Sequence, residues 1–300
     1  MNLTESILHY RQYLKRKNYS AHTVKNYLHR LQRFIAWLAV PLESVQVQDI
    51  KRYIDTLLER RLSPQTVNGH LVAIRRFYTY LIDEEERPVN NPAVSGMALR
   101  LPKPLPRHLR DGDIPVFFAS VKKPRDIAMF MLMLRCGLRV EELANLTLDA
   151  IDYRRYQIVV RGGKGAKDRV VYISNDAADA LANYLQKRMQ TNEQKVFLVE
   201  KGTCKGKPLS VRGIQKRIEY CSKKSGIAVS CHQLRHTMAT QLLNADADIV
   251  TIQNLLGHTR IKTTMRYCRL SNTKAQRDYY KAIGKIEEQS GILHSRNMRC

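Results

Sequence analysis

Three hundred residues with 44% apolar composition are enough for one large or two ordinary globular domains with real cores, which excludes a disordered chain. The 51 Lys and Arg against 27 Asp and Glu leave a formal charge of +24, far beyond what solubility needs, so the expected partner is a polyanion, nucleic acid first. Residues 1–100 hold 15 basic and 9 acidic side chains, and the remaining net +18 falls after them, so both halves are positive. No run of about 18 uncharged apolar residues offers a membrane span, and the amino terminus lacks a basic segment leading into an apolar core. A cytoplasmic protein is expected, with its six scattered cysteines reduced.

The first 87 residues read as four helices. Leu3, Ile7, Tyr10 and Leu14 mark one apolar stripe, and Val24, Leu28, Leu31, Ile35 and Leu38 a second, with Ser20 as its N-cap. Ile50, Ile54, Leu57 and Leu58 form a third. Ser63-Pro64 is a cap and first-turn pair for a fourth, carrying Val67, Leu71, Ile74, Phe77, Tyr78 and Leu81. Pro88, Pro92, Pro102, Pro104 and Pro106 then forbid a regular helix and favour an extended tether. A helical domain over 1–95, a linker over 96–106, a second domain over 107–288 and a tail over 289–300 follow.

In the second domain, 127–134 reads as a buried helix broken by Gly137, and a further helix is expected to carry Arg139, Glu142, Leu143 and Leu146, with Arg139 and Glu142 on one face. Residues 158–160 and 169–173 are β-type runs joined by a basic glycine-rich loop, a hairpin with Lys164 at its tip. That loop lacks the Gly-x-x-x-x-Gly-Lys-Ser/Thr spacing and leads into a strand, which disfavours a nucleotide-binding reading. Helices follow. One runs over 247–256 and ends at Gly257, Thr259 caps the helix that presents Tyr267, and an amphipathic helix covers 271–286.

The chemistry-bearing residues are Arg139, Lys164, His232, Arg235, His258 and Tyr267. A phosphodiester attacked by a phenol passes through a pentacoordinate state whose non-bridging oxygens gain charge, so fixed cationic donors are needed around them. Arg139, Arg235 and His258 suit that work. A lysine on a loop can protonate the departing sugar oxygen and a histidine can take the phenolic proton, which makes Lys164 and His232 candidates, with Lys167 as the alternative lysine. Cys221, Cys231, His232 and His236 do not follow a standard zinc spacing, and no acidic cluster suggests a two-metal nuclease.

The stretches Cys136 to Leu143, Gly162 to Arg169, His232 to Thr240 and His258 to Tyr267, in that order, resemble the tyrosine site-specific recombinases of the phage integrase type, most closely their Xer-like branch. The resemblance covers about residues 3–285. It implies a mainly α fold with a small antiparallel β-sheet: a SAM-like helical core-binding domain, then an α+β catalytic domain, closing as a clamp on double-stranded DNA. It further implies Tyr267 as nucleophile through a 3′-phosphotyrosyl link, Glu142 holding Arg139, no metal, ATP or other cofactor, and a tetramer on DNA linked by exchange of residues 272–286. A second recombinase or accessory protein remains open, and Cys268-Arg269 departs from the Thr-His common in the family. The competing readings are a type IB topoisomerase-like enzyme and a catalytically silent DNA-binding protein.

Overall fold

A computed structural model describes residues 3–102, 107–161, 168–258 and 261–268, with 279, 280, 282 and 283 beyond them. The chain divides into two compact units, Met1–Lys103 and Pro104–Cys300. Among the described residues no helix is long and apolar enough to cross a membrane.

The first unit is built on α1 (Leu3–Arg16), α2 (Ala21–Trp37), α3 (Val47–Glu59) and α4 (Pro64–Asp83). Both expected serine caps form: Ser20 Oγ accepts the Thr23 N–H at 3.2 Å and Ser63 Oγ the Thr66 N–H at 3.3 Å, each satisfying a donor that the helix itself cannot. Tyr10, Leu31, Phe34, Leu71, Ile74 and Phe77 make the core, each buried aliphatic or aromatic side chain contributing about 1.5–3 kcal/mol by leaving water. The third helix differs from expectation at one position: Leu58 is 40% exposed, while Tyr53 is buried at 2%. Periodicity alone favoured the leucine, but the phenol of Tyr53 finds His70 Nδ1 at 3.0 Å inside the bundle, which makes its burial tolerable.

The proline-rich stretch after α4 contains no regular helix through Leu99 and lies pinned along α4. Asn68 exchanges two hydrogen bonds with the Leu99 backbone, at 2.8 and 2.9 Å, and Arg75 donates to the carbonyls of Ala93 and Val94. Residues 103–106 lie outside the described residues.

The second unit contains α5 (Asp113–Ser120), α6 (Pro124–Arg135), α7 (Val140–Asn145), a sheet of β1 (Ile151–Asp152), β2 (Gln157–Val160) and β3 (Arg169–Tyr172), then α8 (Asn175–Lys187), α9 (Val211–Ser225), α10 (Cys231–Asn244), α11 (Ile249–Leu256) and α12 (Ile261–Cys268). The sheet is antiparallel in the order β1-β2-β3, with Val159 opposite Val170 and Val160 opposite Arg169. Ile158, Val160 and Val171 face the core and Val159, Val170 and Tyr172 face out, the alternation a half-buried sheet requires. α6 runs through the centre of the main core among Phe117, Leu143, Leu181, Phe197 and Leu234. A smaller core of Met238, Leu243, Ile252, Leu256 and Tyr267 joins α10, α11 and α12.

Two boundaries differ from the sequence reading. Arg139 is not inside a helix but at the N-cap of α7, and α11 begins at Ile249 because Asp248 caps it, accepting the N–H groups of Val250 and Thr251. The hairpin tip with Lys164 and Lys167, the residue Thr259 and the 289–300 tail lie outside the described residues, and of the 271–286 helix only 279, 280, 282 and 283 are described, all helical.

Candidate active site

Three arginines meet at the carboxyl end of α11. Its last two carbonyls and the next one, those of Leu255, Leu256 and Gly257, accept from Arg169, Arg235 and Arg139 in turn. A helix leaves these carbonyls unpaired and carries partial negative charge there, so the terminus is a natural seat for cations. Gly257 ends α11 at φ +59°, and a Cβ there would lie 3.0 Å from Arg169 Cδ. Glycine thus supplies both the left-handed turn and the room for the guanidinium.

Glu142 is the counter-charge. One carboxylate oxygen accepts from Arg139 Nη1 and Arg169 Nη1, both at 2.7 Å, and the other accepts Arg169 Nη2 and the Arg139 backbone N–H, also at 2.7 Å. Burial alone would raise its carboxyl. The Arg169 hydrogen bonds, the Arg139 N–H and the two charges outweigh burial and hold it near about 2. Glu142 therefore stays ionised and holds both Arg139 and Arg169, the latter a residue that sequence reasoning had placed in a hairpin strand at the end of the Gly162 to Arg169 stretch.

Arg235 is 5% exposed and donates to Gly137 O as well as Leu256 O. Burial, then the charge of Arg139, lowers its proton affinity, yet a guanidinium so held keeps its proton at neutral pH. Gly137 ends the α6 turn at φ +63°, where a Cβ would meet Met238 Sδ at 2.9 Å. The tight turn is what brings its carbonyl to Arg235.

Tyr267 is 1% exposed and lies within electrostatic reach of Arg235. Its hydroxyl is 2.6 Å from His236 Nδ1, and the His258 ring runs nearly parallel to it, 8° apart with centroids 6.4 Å apart. His258 Nδ1 is hydrogen-bonded to the buried Thr264 hydroxyl at 2.9 Å. Where the Thr264 hydroxyl donates this bond, the His258 proton sits on Nε2. Burial first, then Arg235 and Arg139, pulls His258 down to about 4, so at neutral pH it is an uncharged imidazole.

The fold thus brings together five of the residues singled out in the sequence: Arg139, Glu142, Arg235, His258 and Tyr267. His232 is exposed on α10, its ring centre 6.5 Å from that of His236. The imidazole on the phenol is His236, one turn later on the same helix. Its presence in the stretch His232 to Thr240 was the only sequence signal for it, and Arg169 and Thr264 had none beyond their motifs. Among the described residues no group of three or more His, Cys, Asp or Glu is placed to hold a metal ion.

Residues 110–274 match the phage integrase family, and residues 7–85 match the phage integrase N-terminal SAM-like domain. The chain belongs to that family and is a tyrosine recombinase of the Xer-like type, an enzyme that breaks and rejoins DNA strands. It is 32% identical to the tyrosine recombinase XerA of Thermococcus kodakarensis over 270 residues, 89% of this chain and 91% of that protein. It is 30% identical to the tyrosine recombinase XerC of Staphylococcus haemolyticus, over 91% of this chain and 95% of the relative. Among solved structures, a XerA recombinase crystal structure is 28% identical with a TM-score of 0.54, covering 93% of this chain and 98% of that one. The Tn1549 transposon integrase in complex with transposon right end DNA reaches a TM-score of 0.75 at 20% identity, over 93% of this chain and 99% of that one, a likeness of fold. The topoisomerase and silent-binder alternatives are not favoured by these relatives.

Proposed function

We propose that this chain recombines specific duplex DNA sites by using Tyr267 to attack the scissile phosphorus and hold the broken strand as a 3′-phosphotyrosyl ester. The observation that carries this reading is the convergence of one buried phenol, two imidazoles and three ordered guanidinium groups on the short stretch between α10, α11 and α12. Arg139 and Arg235 hold the non-bridging oxygens, and His258, neutral with its donor on Nε2, adds a third hydrogen bond to them. Because their other N–H groups are already spent on carbonyls and on Glu142, both guanidinium planes are set before the substrate arrives. That is the preorganisation a charge-developing transition state rewards.

Lys164, in the basic hairpin loop, protonates the departing 5′ oxygen, with Lys167 as the second lysine within that loop. His232, on α10, takes the phenolic proton or orients the phosphate. The bond energy kept in the phosphotyrosyl ester lets a partner strand's 5′-hydroxyl reverse the step, which requires neither ATP nor a metal ion. Residues 1–95 serve as the DNA-grasping domain and 107–288 as the catalytic one, and four copies on two duplexes exchange residues 272–286.

The test is adduct trapping on nicked genomic fragments in EDTA, followed by sequencing of the attached ends. A protein–DNA adduct that disappears in Tyr267→Phe while DNA binding persists is the expected result. An adduct that survives in Tyr267→Phe, or none with the unaltered chain, refutes the assignment.

A further inference from the structure

We propose that Arg169 is a positioning residue for strand cleavage: it cancels the charge of Glu142, so that this carboxylate can hold Arg139 in place without consuming the positive charge Arg139 offers the scissile phosphate. The inference rests on the recombinase reading above, in which Arg139 and Arg235 have work at the phosphate and the third guanidinium of the cluster has none. Each of the three side-chain nitrogens of Arg169 donates to the protein. Nε gives to Leu255 O at 2.9 Å, and Nη1 and Nη2 give to the two oxygens of Glu142 at 2.7 Å each. Its side chain is 9% exposed against 24% for Arg139, so of the two arginines on Glu142 it is Arg139 that stays accessible to a ligand.

The need for a second cation follows from electrostatics. Glu142 accepts from Arg139 Nη1 and from the Arg139 backbone N–H, both at 2.7 Å, which fixes the guanidinium but also sets a full negative charge against it. Two opposite charges that close cancel beyond their own separation, so an incoming phosphate would meet a dipole in place of a cation. With Arg169 on the same carboxylate, the group of Arg139, Glu142 and Arg169 keeps one net positive charge. Burial raises the Glu142 carboxyl, and the hydrogen bonds from Arg169 lead the influences that bring it down to about 2, so its charge is present at neutral pH and has to be offset there. Arginine suits the task, since one planar fork meets both carboxylate oxygens while its Nε reaches the end of α11. Register brings it there: Arg169 opens β3 opposite Val160, and β3 packs on α11.

The experiment uses the full chain and a nicked duplex built on the sequence recovered by trapping, made with either an ordinary phosphodiester or a neutral methylphosphonate at the cleaved position. The methylphosphonate lacks one charged oxygen, so a variant short of positive charge is relieved on it, whereas a variant with a distorted site is slow on both. Arg169→Met is expected to cleave the phosphodiester about 10–100-fold more slowly, the effect of one uncompensated charge beside the phosphate site, and the methylphosphonate within about threefold of the unaltered chain. Arg169→Gln carries the same expectation if the methionine variant does not fold. Adding Glu142→Gln to either removes the uncompensated carboxylate while its amide oxygen still accepts from Arg139, so the double variant should cleave the phosphodiester about fivefold faster than the single one. Equal slowing on the two substrates would make Arg169 a structural tie alone, and a double variant no faster than the single would place Arg169 on the phosphate itself; either overturns the inference. Absence of a Tyr267-dependent adduct from the unaltered chain would instead sink the recombinase reading.

Discussion

Replacing Glu142 by Gln keeps the shape of the site and removes the carboxylate charge that pairs with Arg139 and Arg169. The carboxylate receives four hydrogen bonds at 2.7 Å, three of them from guanidinium groups, and its side chain is 9% exposed. The depression of its carboxyl from 4.5 to about 2 corresponds to about 3 kcal/mol of stabilisation at about 1.4 kcal/mol per pH unit. Breaking one side of a buried ion pair typically costs about 3–5 kcal/mol, which agrees. Thermal unfolding at pH 7 should therefore show Tm lower by roughly 6–12 °C for a unit of this size. Because the folded-state carboxyl is depressed, the stabilisation is present above pH 4.5 and is lost as pH falls through about 2. The gap between the two proteins should narrow across that window. Arg169→Met added to Glu142→Gln should recover part of the loss by removing one of the stranded charges. A gap under about 1 kcal/mol at pH 7, or one that stays constant down to pH 2, would refute the view that Glu142 is the electrostatic keystone of the arginine cluster.

Three other outcomes are expected. Gly137→Ala combines a left-handed backbone with a contact at 2.9 Å to Met238 Sδ, so it should destabilise the second unit by about 1–3 kcal/mol in denaturant unfolding and slow cleavage by displacing the carbonyl that holds Arg235. Thr264→Val keeps the volume of a fully buried side chain but strands His258 Nδ1. It should cost about 1–2 kcal/mol and lower the cleavage rate without weakening DNA retardation. Ser63→Ala removes the N-cap of α4 and should lower stability by about 1 kcal/mol, detectable as earlier unfolding of residues 1–100 in hydrogen exchange, with cleavage chemistry unchanged.

Local chemistry written along the chain was enough to place the helices of the first unit, since Ser20, Ser63 and the 3.6-residue apolar spacing act within a few residues of one another. The same holds for the β2–β3 hairpin and for Gly257 as a helix stop, and the ordered motifs singled out Tyr267, Arg139, Arg235 and His258 as candidates because each is tied to a neighbouring pattern. Periodicity could not distinguish Tyr53 from Leu58, since both lie near the edge of the apolar stripe and the choice depends on whether a phenol finds a buried partner, which His70 provides. Nor could it show that the phenol of Tyr267 meets His236, one turn beyond His232 on α10. That contact belongs to the packing of α12, which sets Tyr267 opposite the later histidine across 31 residues of chain. The recruitment of Arg169 to Glu142 and of three arginines to three consecutive carbonyls is likewise settled only when β3, α7, α10 and α11 meet, because unpaired carbonyls and a buried carboxylate draw in whichever cations the fold brings within reach.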